Sequence, residues 1–236
     1  MRNDNMSMVA IIGAMDEEVS VIKEWMTEIT TEQIAGCEFF KGKLDSKDIV
    51  LLKSGIGKVN ASVSTSILLL KYAPSEVINI GSAGGYAEDL SVGDVVISDK
   101  VCHHDVDVTA FGYSIGQVPG MPVSFSAAPL LIEKVKSAVA SLPNIKAKVG
   151  LIGTGDSFMQ DPSRVDKVRA DFPQLLAVDM EAAAVAQVCM KFNVPFVVIR
   201  ALSDIAGKES SQSFEAFLEV AAKNSSLMVR AMLKLS

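Results

Sequence analysis

The 236 residues contain no cluster of lysine and arginine, and the formal net charge is −6. Nucleic-acid and anionic-membrane binding are thereby disfavoured, since both depend on a basic face. Cysteine is equally sparse. Cys37, Cys102 and Cys189 are scattered and odd in number, which argues against a disulfide framework and fits reduced thiols in the cytoplasm. The early apolar run Met8–Met15 is too short for a membrane span and lacks a cleavage-site pattern. Internal repeats, low-complexity tracts and linkers are missing, so a single domain is expected. What is present suits that reading: hydrophobic residues make up 49% of the chain and charged ones 21%, enough for one large soluble α/β domain. Residues 1–7 are polar, and Met1, Met6 and Met8 could each serve as a start. A dispensable tail at 1–7 and a domain over 8–236 are the expected boundaries.

Apolar runs alternate with helical patterns along most of this length. Met8–Ala14 reads as a buried strand, and Asp16-Glu17-Glu18 opens a helix to about Met26. Cys37–Leu44 and Asp48–Lys53 form a hairpin, and a helix over Val59–Tyr72 stops before Pro74. Strands are expected at Val77–Ile80, Val92–Val101, Val149–Gly153, Leu175–Val178 and Phe196–Leu202. Helices are expected at Ala127–Ser141, Pro162–Asp171, Glu181–Phe192 and Ser213–Lys234. Between them, Asp105–Ser126 is a long loop punctuated by Gly and Pro, of the kind that usually carries function. The alternation predicts an α/β fold with a central twisted sheet and helices on both faces, and the opening hairpin makes the sheet mixed.

Polar residues stand where apolar strands end: Glu18 past the first, Ser82 past Val77–Ile80, Glu181 past Leu175–Val178, Asp204 past Phe196–Leu202. Strand ends of one sense open on a common crevice. Taken singly, each of these groups reads more readily as a cap than as a catalyst. Four from separate strands point to a site. Asp179 and Glu181 interrupt the apolar stretch Leu175–Val188, and burying two unpaired carboxylates would cost several kcal/mol. Two residues apart across a strand-to-helix junction, they should diverge, with at most one facing the crevice. Arg200 lies inside an apolar strand and needs either an acidic partner, for which Glu18 or Glu181 is available, or a bound polar ligand. Met15 and Met180 flank the acidic corners as an apolar wall.

Gly81-Ser82-Ala83-Gly84-Gly85 suggests close backbone approach to a ligand but lacks the dinucleotide spacing. Gly55-Ile56-Gly57-Lys58-Val59 fails as a phosphate loop, with Leu52 and Val59 at the positions that need Gly and Ser/Thr. Cys102-His103-His104-Asp105-Val106-Asp107 holds several metal-ligand types. Adjacent histidines on an extended chain diverge, however, and no second cluster completes a ligand set. Neither a metal nor a cofactor is expected.

Seven motifs, in order, carry a resemblance that covers nearly the whole chain from Met8. They are Ile11–Glu18, Ser54–Val59, Gly81–Gly85, Asp107–Tyr113, Gly155–Phe158, Val178–Ala182 and Arg200–Asp204. Together the chain resembles the 5′-methylthioadenosine/S-adenosylhomocysteine nucleosidase family of the nucleoside phosphorylase superfamily. The resemblance implies hydrolysis of the N-glycosidic bond of adenine thioribosides to adenine and a 5-thioribose. By motif position, Asp204 would protonate adenine N7, and Glu18 would activate water held by Ser82 and Arg200. Glu181 would bind the ribose hydroxyls, Met180 would pack on the sugar, Phe158 would stack on adenine, and the Met159 backbone would read its edge. Further substrate contacts are implied for Met15, Ile56, Ala83, Gly84, Asp179 and Ser203, with Phe214 at the 5′ side. Val108, Phe111 and Pro119 would cover the neighbouring subunit's ligand, which implies a homodimer. The family commonly has Glu where this chain has Asp179, a side chain one methylene shorter.

The chemistry is consistent on its own terms. Cleaving a riboside builds positive charge on the sugar and negative charge on the base, so one carboxyl must donate a proton while another accepts one from water. An apolar pocket around Asp204 would raise its pKa, as an acid requires. Related phosphorylases place Arg where this chain has Asn79, and a neutral amide offers phosphate no charged, bidentate grip. Hydrolysis is therefore expected over phosphorolysis. A non-catalytic nucleoside binder would need neither proton role.

Overall fold

The computed structural model describes residues 8–142, 145–208 and 210–235; the expected tail at 1–7 lies outside the described residues. The chain opens with β1 (Val9–Gly13), α1 (Asp16–Trp25), β2 (Met26–Ile34), β3 (Cys37–Leu44) and β4 (Lys47–Lys53). Next come α2 (Lys58–Tyr72), β5 (Glu76–Gly85), β6 (Val95–His103), a 3-10 turn at Thr109–Phe111 and the short β7 (Phe125–Ser126). The second half runs α3 (Pro129–Ala140), β8 (Ala147–Thr154), α4 (Pro162–Asp171), β9 (Leu175–Asp179), α5 (Ala182–Phe192), β10 (Phe196–Ile205) and α6 (Ser210–Lys234).

These strands form one mixed sheet flanked by helices. β1 lies between β4 and β5, parallel to both, and β10 runs parallel to β5 on its other side. The central strands are buried along almost their whole length, as expected where both faces of a sheet are covered. α1 and α3 each pack against α6, and α2 packs on α5. Most of the apolar interior is a single cluster; a smaller one, including Tyr86, Val165, Val168 and Phe172, lies under α4.

Four details differ from expectation. β2 was not expected: its sequence, Met-Thr-Glu-Ile-Thr-Thr-Glu-Gln-Ile, is mostly exposed, so no apolar period announces it, and pairing with β3 defines it. The strand expected to end at Ile80 does not stop there: β5 continues through the glycine-rich segment to Gly85. The long loop from Asp105 holds the 3-10 turn and β7. Finally, β9 does not share the sense of β5. It crosses the end of β5 antiparallel, with Gly84 opposite Val178 and Gly85 opposite Ala177, while running parallel to β8. The curl of the sheet, rather than a common strand direction, brings the β9 corner to the ends of β1, β5 and β10.

Candidate active site

A cavity of about 230 Å³ opens where these four strands end. Glu18 enters it from the first turn of α1. Its Oε2 accepts the Ala14 N–H at 2.7 Å, and its Oε1 accepts both the N–H and the hydroxyl of Ser82, at 2.9 and 3.0 Å. The side chain is 3% exposed, so three donors oriented by β1 and β5 replace most of its water. Such a carboxylate is held in place yet borders the cavity, which suits a proton acceptor.

Asp204 reaches the same cavity from β10. Strand alternation alone would put it on the side of Arg200, four residues earlier. The register slips between Leu202 and Asp204: Leu202 pairs with Ala83, and Asp204 pairs with Gly84. This bulge around Ser203 turns Asp204 to the side of Ser82 and leaves Arg200 behind. The Ser203 hydroxyl bonds Asp204 Oδ1 at 3.0 Å.

Arg200 is not among the residues that line the cavity. Its partner is neither Glu18 nor Glu181, as expected from the sequence, but Asp179. Nε donates to Asp179 Oδ2 at 2.8 Å, Nη2 lies 2.6 Å from the same oxygen, and Nη2 also donates to Asn79 Oδ1 at 2.7 Å. Asn79 in turn donates to the Ile12 carbonyl at 3.0 Å. Asp179 Oδ1 accepts the Thr154 hydroxyl at 2.6 Å, and Oδ2 accepts the first N–H of α5, from Ala182, at 3.1 Å. Asp179 therefore does cap a helix, and its carboxylate is spent on that cap and on Arg200, although the residue borders the cavity.

Glu181, at the N-cap position of α5, is the acid of this pair that remains for a ligand. Its Oε1 accepts the Gly57 N–H from the start of α2 at 2.8 Å. Burial, reinforced by the neighbouring Asp179 charge, pushes its carboxyl up to about 8. It needs a positive or hydrogen-bonding partner to ionise comfortably at neutral pH.

The remaining walls are apolar. Met15, Ile56, Ala83 and Gly84 line one part, and Phe158, Met159, Met180 and Phe214 another. The Phe158 and Phe214 rings meet edge to face, 5.7 Å apart and at 76°. Ser203 also lines the cavity, so every expected contact from this chain except Arg200 reaches it. Ala14, Ser157 and Val178 line it too; each falls inside one of the seven motifs, though no contact is assigned to it there. Val108, Phe111 and Pro119 do not reach this cavity, and Phe111 is 80% exposed.

The residues Cys102–Asp107 are engaged separately. His103 Nε2 lies 3.0 Å from Gln187 Oε1, Asp105 pairs with Lys58, and Asp107 accepts the Thr109 N–H and hydroxyl. Among the described residues, no group of three or more His, Cys, Asp or Glu is arranged to hold a metal ion.

The model of the phosphorylase superfamily matches residues 8–234. A 5′-methylthioadenosine/S-adenosylhomocysteine nucleosidase of Marinomonas sp. is 65% identical over 97% of this chain and 99% of its own length. The crystal structure of the enzyme of that name from Neisseria meningitidis, in complex with methylthio-immucillin-A, superposes with a TM-score of 0.96 at 44% identity, covering 98% of this chain and 100% of that one. Its counterpart from Colwellia psychrerythraea, in complex with adenine, gives 0.95 at 49% identity over 98% and 96%. The chain belongs to the phosphorylase superfamily and, within it, to the 5′-methylthioadenosine/S-adenosylhomocysteine nucleosidases.

Proposed function

We propose that the chain hydrolyses the N-glycosidic bond of 5′-methylthioadenosine, S-adenosylhomocysteine and related adenine nucleosides. The observation that carries this reading is the presence of Glu18, from the first turn of α1, and Asp204, from β10, as two carboxyl groups that border one largely apolar cavity. As the bond from adenine to C1′ breaks, its electron pair moves onto the base, and Asp204 gives a proton to N7. Positive charge grows on the ribose, where Glu181 binds the hydroxyls and stabilises the charge electrostatically. Water adds to C1′ and its proton passes to Glu18, leaving adenine and the 5-thioribose. This is the division of labour of an inverting glycosidase. Phe158 stacks on adenine, Met180 packs on the sugar, and Phe214 faces the 5′ substituent.

Water rather than phosphate is the nucleophile. Arg200, the guanidinium behind the site, already has its charge met by Asp179, and Asn79 fills another of its donors. An incoming phosphate would have to compete with a buried carboxylate. Arg200 acts from behind the site, tying β10 to Asp179 of β9 and Asn79 of β5.

The active form is a homodimer in which Val108, Phe111 and Pro119 cover the partner's 5′ pocket. The exposure of Phe111, an aromatic on a 3-10 turn away from its own cavity, supports this. The fold comprises one domain over 8–236. Residence in the cytoplasm is supported by three buried, unpaired cysteines. Among the described residues, no helix is long and apolar enough to cross a membrane.

Adenine release from methylthioadenosine, measured in phosphate-free buffer and again with phosphate, tests the reaction. Free methylthioribose at equal rates in both buffers is expected. Release only with phosphate, giving a sugar 1-phosphate, would make the chain a phosphorylase; ligand binding without product would make it a binder.

A further inference from the structure

We infer that Asp105, outside the cavity, is a positioning residue for Glu181 and thereby sets recognition of the ribose; this rests on the nucleosidase reading above. The connection runs through the first turn of α2. Glu181 Oε1 accepts the Gly57 N–H at 2.8 Å. Gly57 is the N-cap of α2, with φ of +94° and no side-chain cap of its own, so that N–H points wherever the turn is held. Three contacts hold the turn. Lys58 N–H donates to Asp156 Oδ1 at 2.8 Å, and Asp156 N–H donates to Asp105 Oδ2 at 3.0 Å. Lys58 Nζ sits 2.7 Å from both oxygens of Asp105.

Asp105 is the hub of this arrangement, because it grips Lys58 and the Asp156 backbone at once. Burial works against its charged form, but the Lys58 ammonium and the Asp156 N–H outweigh it and hold the carboxyl below its ordinary range. The turn also has no slack: a Cβ on Gly57 would lie 3.1 Å from Asp156 Oδ1, besides being strained at that φ. None of Asp105, Lys58 or Asp156 lines the cavity, whereas Glu181 does. Releasing Asp105 lets the α2 terminus shift and removes the N–H that orients Glu181, whereas Asp204 sits on β10, outside these three contacts.

The test separates sugar from base. Affinities for adenine and for a non-hydrolysed methylthioadenosine analogue are measured by calorimetry on the wild type, Asp105→Asn and Lys58→Met, with thermal unfolding of each. The expected result is that both variants bind adenine like the wild type but bind the nucleoside about tenfold more weakly, the scale of one lost hydrogen bond to a charged group. They should also raise KM more than they lower kcat. Equal weakening toward both ligands, or no weakening toward either, would overturn the role of Asp105 while leaving the nucleosidase reading intact. Should a variant fail to fold, the milder Asp105→Glu, which keeps the charge but moves it by one methylene, must show the same selective loss for the role to stand. A wild type that binds neither ligand would overturn the functional reading and this inference with it.

Discussion

Arg200 and Asp179 form a buried ion pair whose side chains are each 1% exposed, with Nη2 2.6 Å from Oδ2. The pair joins β10 to the β9–α5 corner and stands directly behind the cavity. Its members are 21 residues apart, and each has a second neutral partner, Asn79 for the guanidinium and Thr154 for the carboxylate. Buried pairs of this kind contribute little beyond an apolar substitute, but breaking one strands a charge in the interior.

Asp179→Ala should therefore destabilise the fold by about 3–5 kcal/mol, read as a lower midpoint in urea unfolding. Asp179→Asn retains the acceptor for Thr154 and should cost less. An unchanged midpoint for Asp179→Ala would mean that Arg200 finds another anion.

The close approach of β5 to the proposed base supplies a second prediction. A Cβ on Gly81 would stand 2.8 Å from Glu18 Oε1, within the carboxylate's own contact radius. Gly81→Ala should displace Glu18 and lower kcat by about 10²-fold or more, the contribution of one correctly placed proton transfer. Ser82→Ala removes a hydroxyl but keeps the Ser82 N–H on Oε1, so its loss should be about tenfold. Steady-state kinetics of the two variants side by side distinguish a displaced base from a weakened one.

Asp204→Asn keeps shape and removes the proton donor. Turnover should fall by about 10²–10⁴-fold while an adenine nucleoside still binds in calorimetry. Loss of binding together with a lowered melting temperature would assign Asp204 a structural role instead.

The raised carboxyl of Glu181 makes two pH predictions. In the fold it holds its proton up to about 8, against 4.5 for an ordinary glutamate. Between those values the unfolded chain has lost a proton that the folded chain keeps, so this group's stabilisation is full below 4.5 and disappears as pH rises through 8. Denaturation midpoints should thus decline less steeply over that window in Glu181→Gln than in the wild type. Because the ionised form stabilises the ribose cation, kcat/KM of the wild type should rise across the same window. A Glu181→Gln enzyme with the wild-type pH profile would remove Glu181 from that role.

Much of this protein is legible in short stretches of sequence. α4 falls at Pro162–Asp171, where its pattern predicts it, and β1, β3 and α5 lie within a residue or two of their expected limits. Their apolar periods are local, and so are the acids that interrupt them. Glu18, Ser82, Glu181 and Asp204 announce themselves because each breaks an apolar run at its end. Asp179 was visible for the same reason, but its task was not.

Tertiary structure decided what the acids do. Arg200 takes Asp179 rather than Glu18 or Glu181 because pairing of a buried charge depends on register among three strands, β5, β9 and β10, whose partners lie far apart in the chain. The bulge at Ser203 is another matter of register: one extra residue turns Asp204 away from Arg200 and toward Ser82, which no period-two reading of β10 contains. β2 exists through its pairing with β3 alone, and the Gly57 N–H meets Glu181 across 124 residues. Apolar periodicity is carried by neighbours along the chain and could be read there; hydrogen-bond partners in a curled sheet are set by neighbours across it.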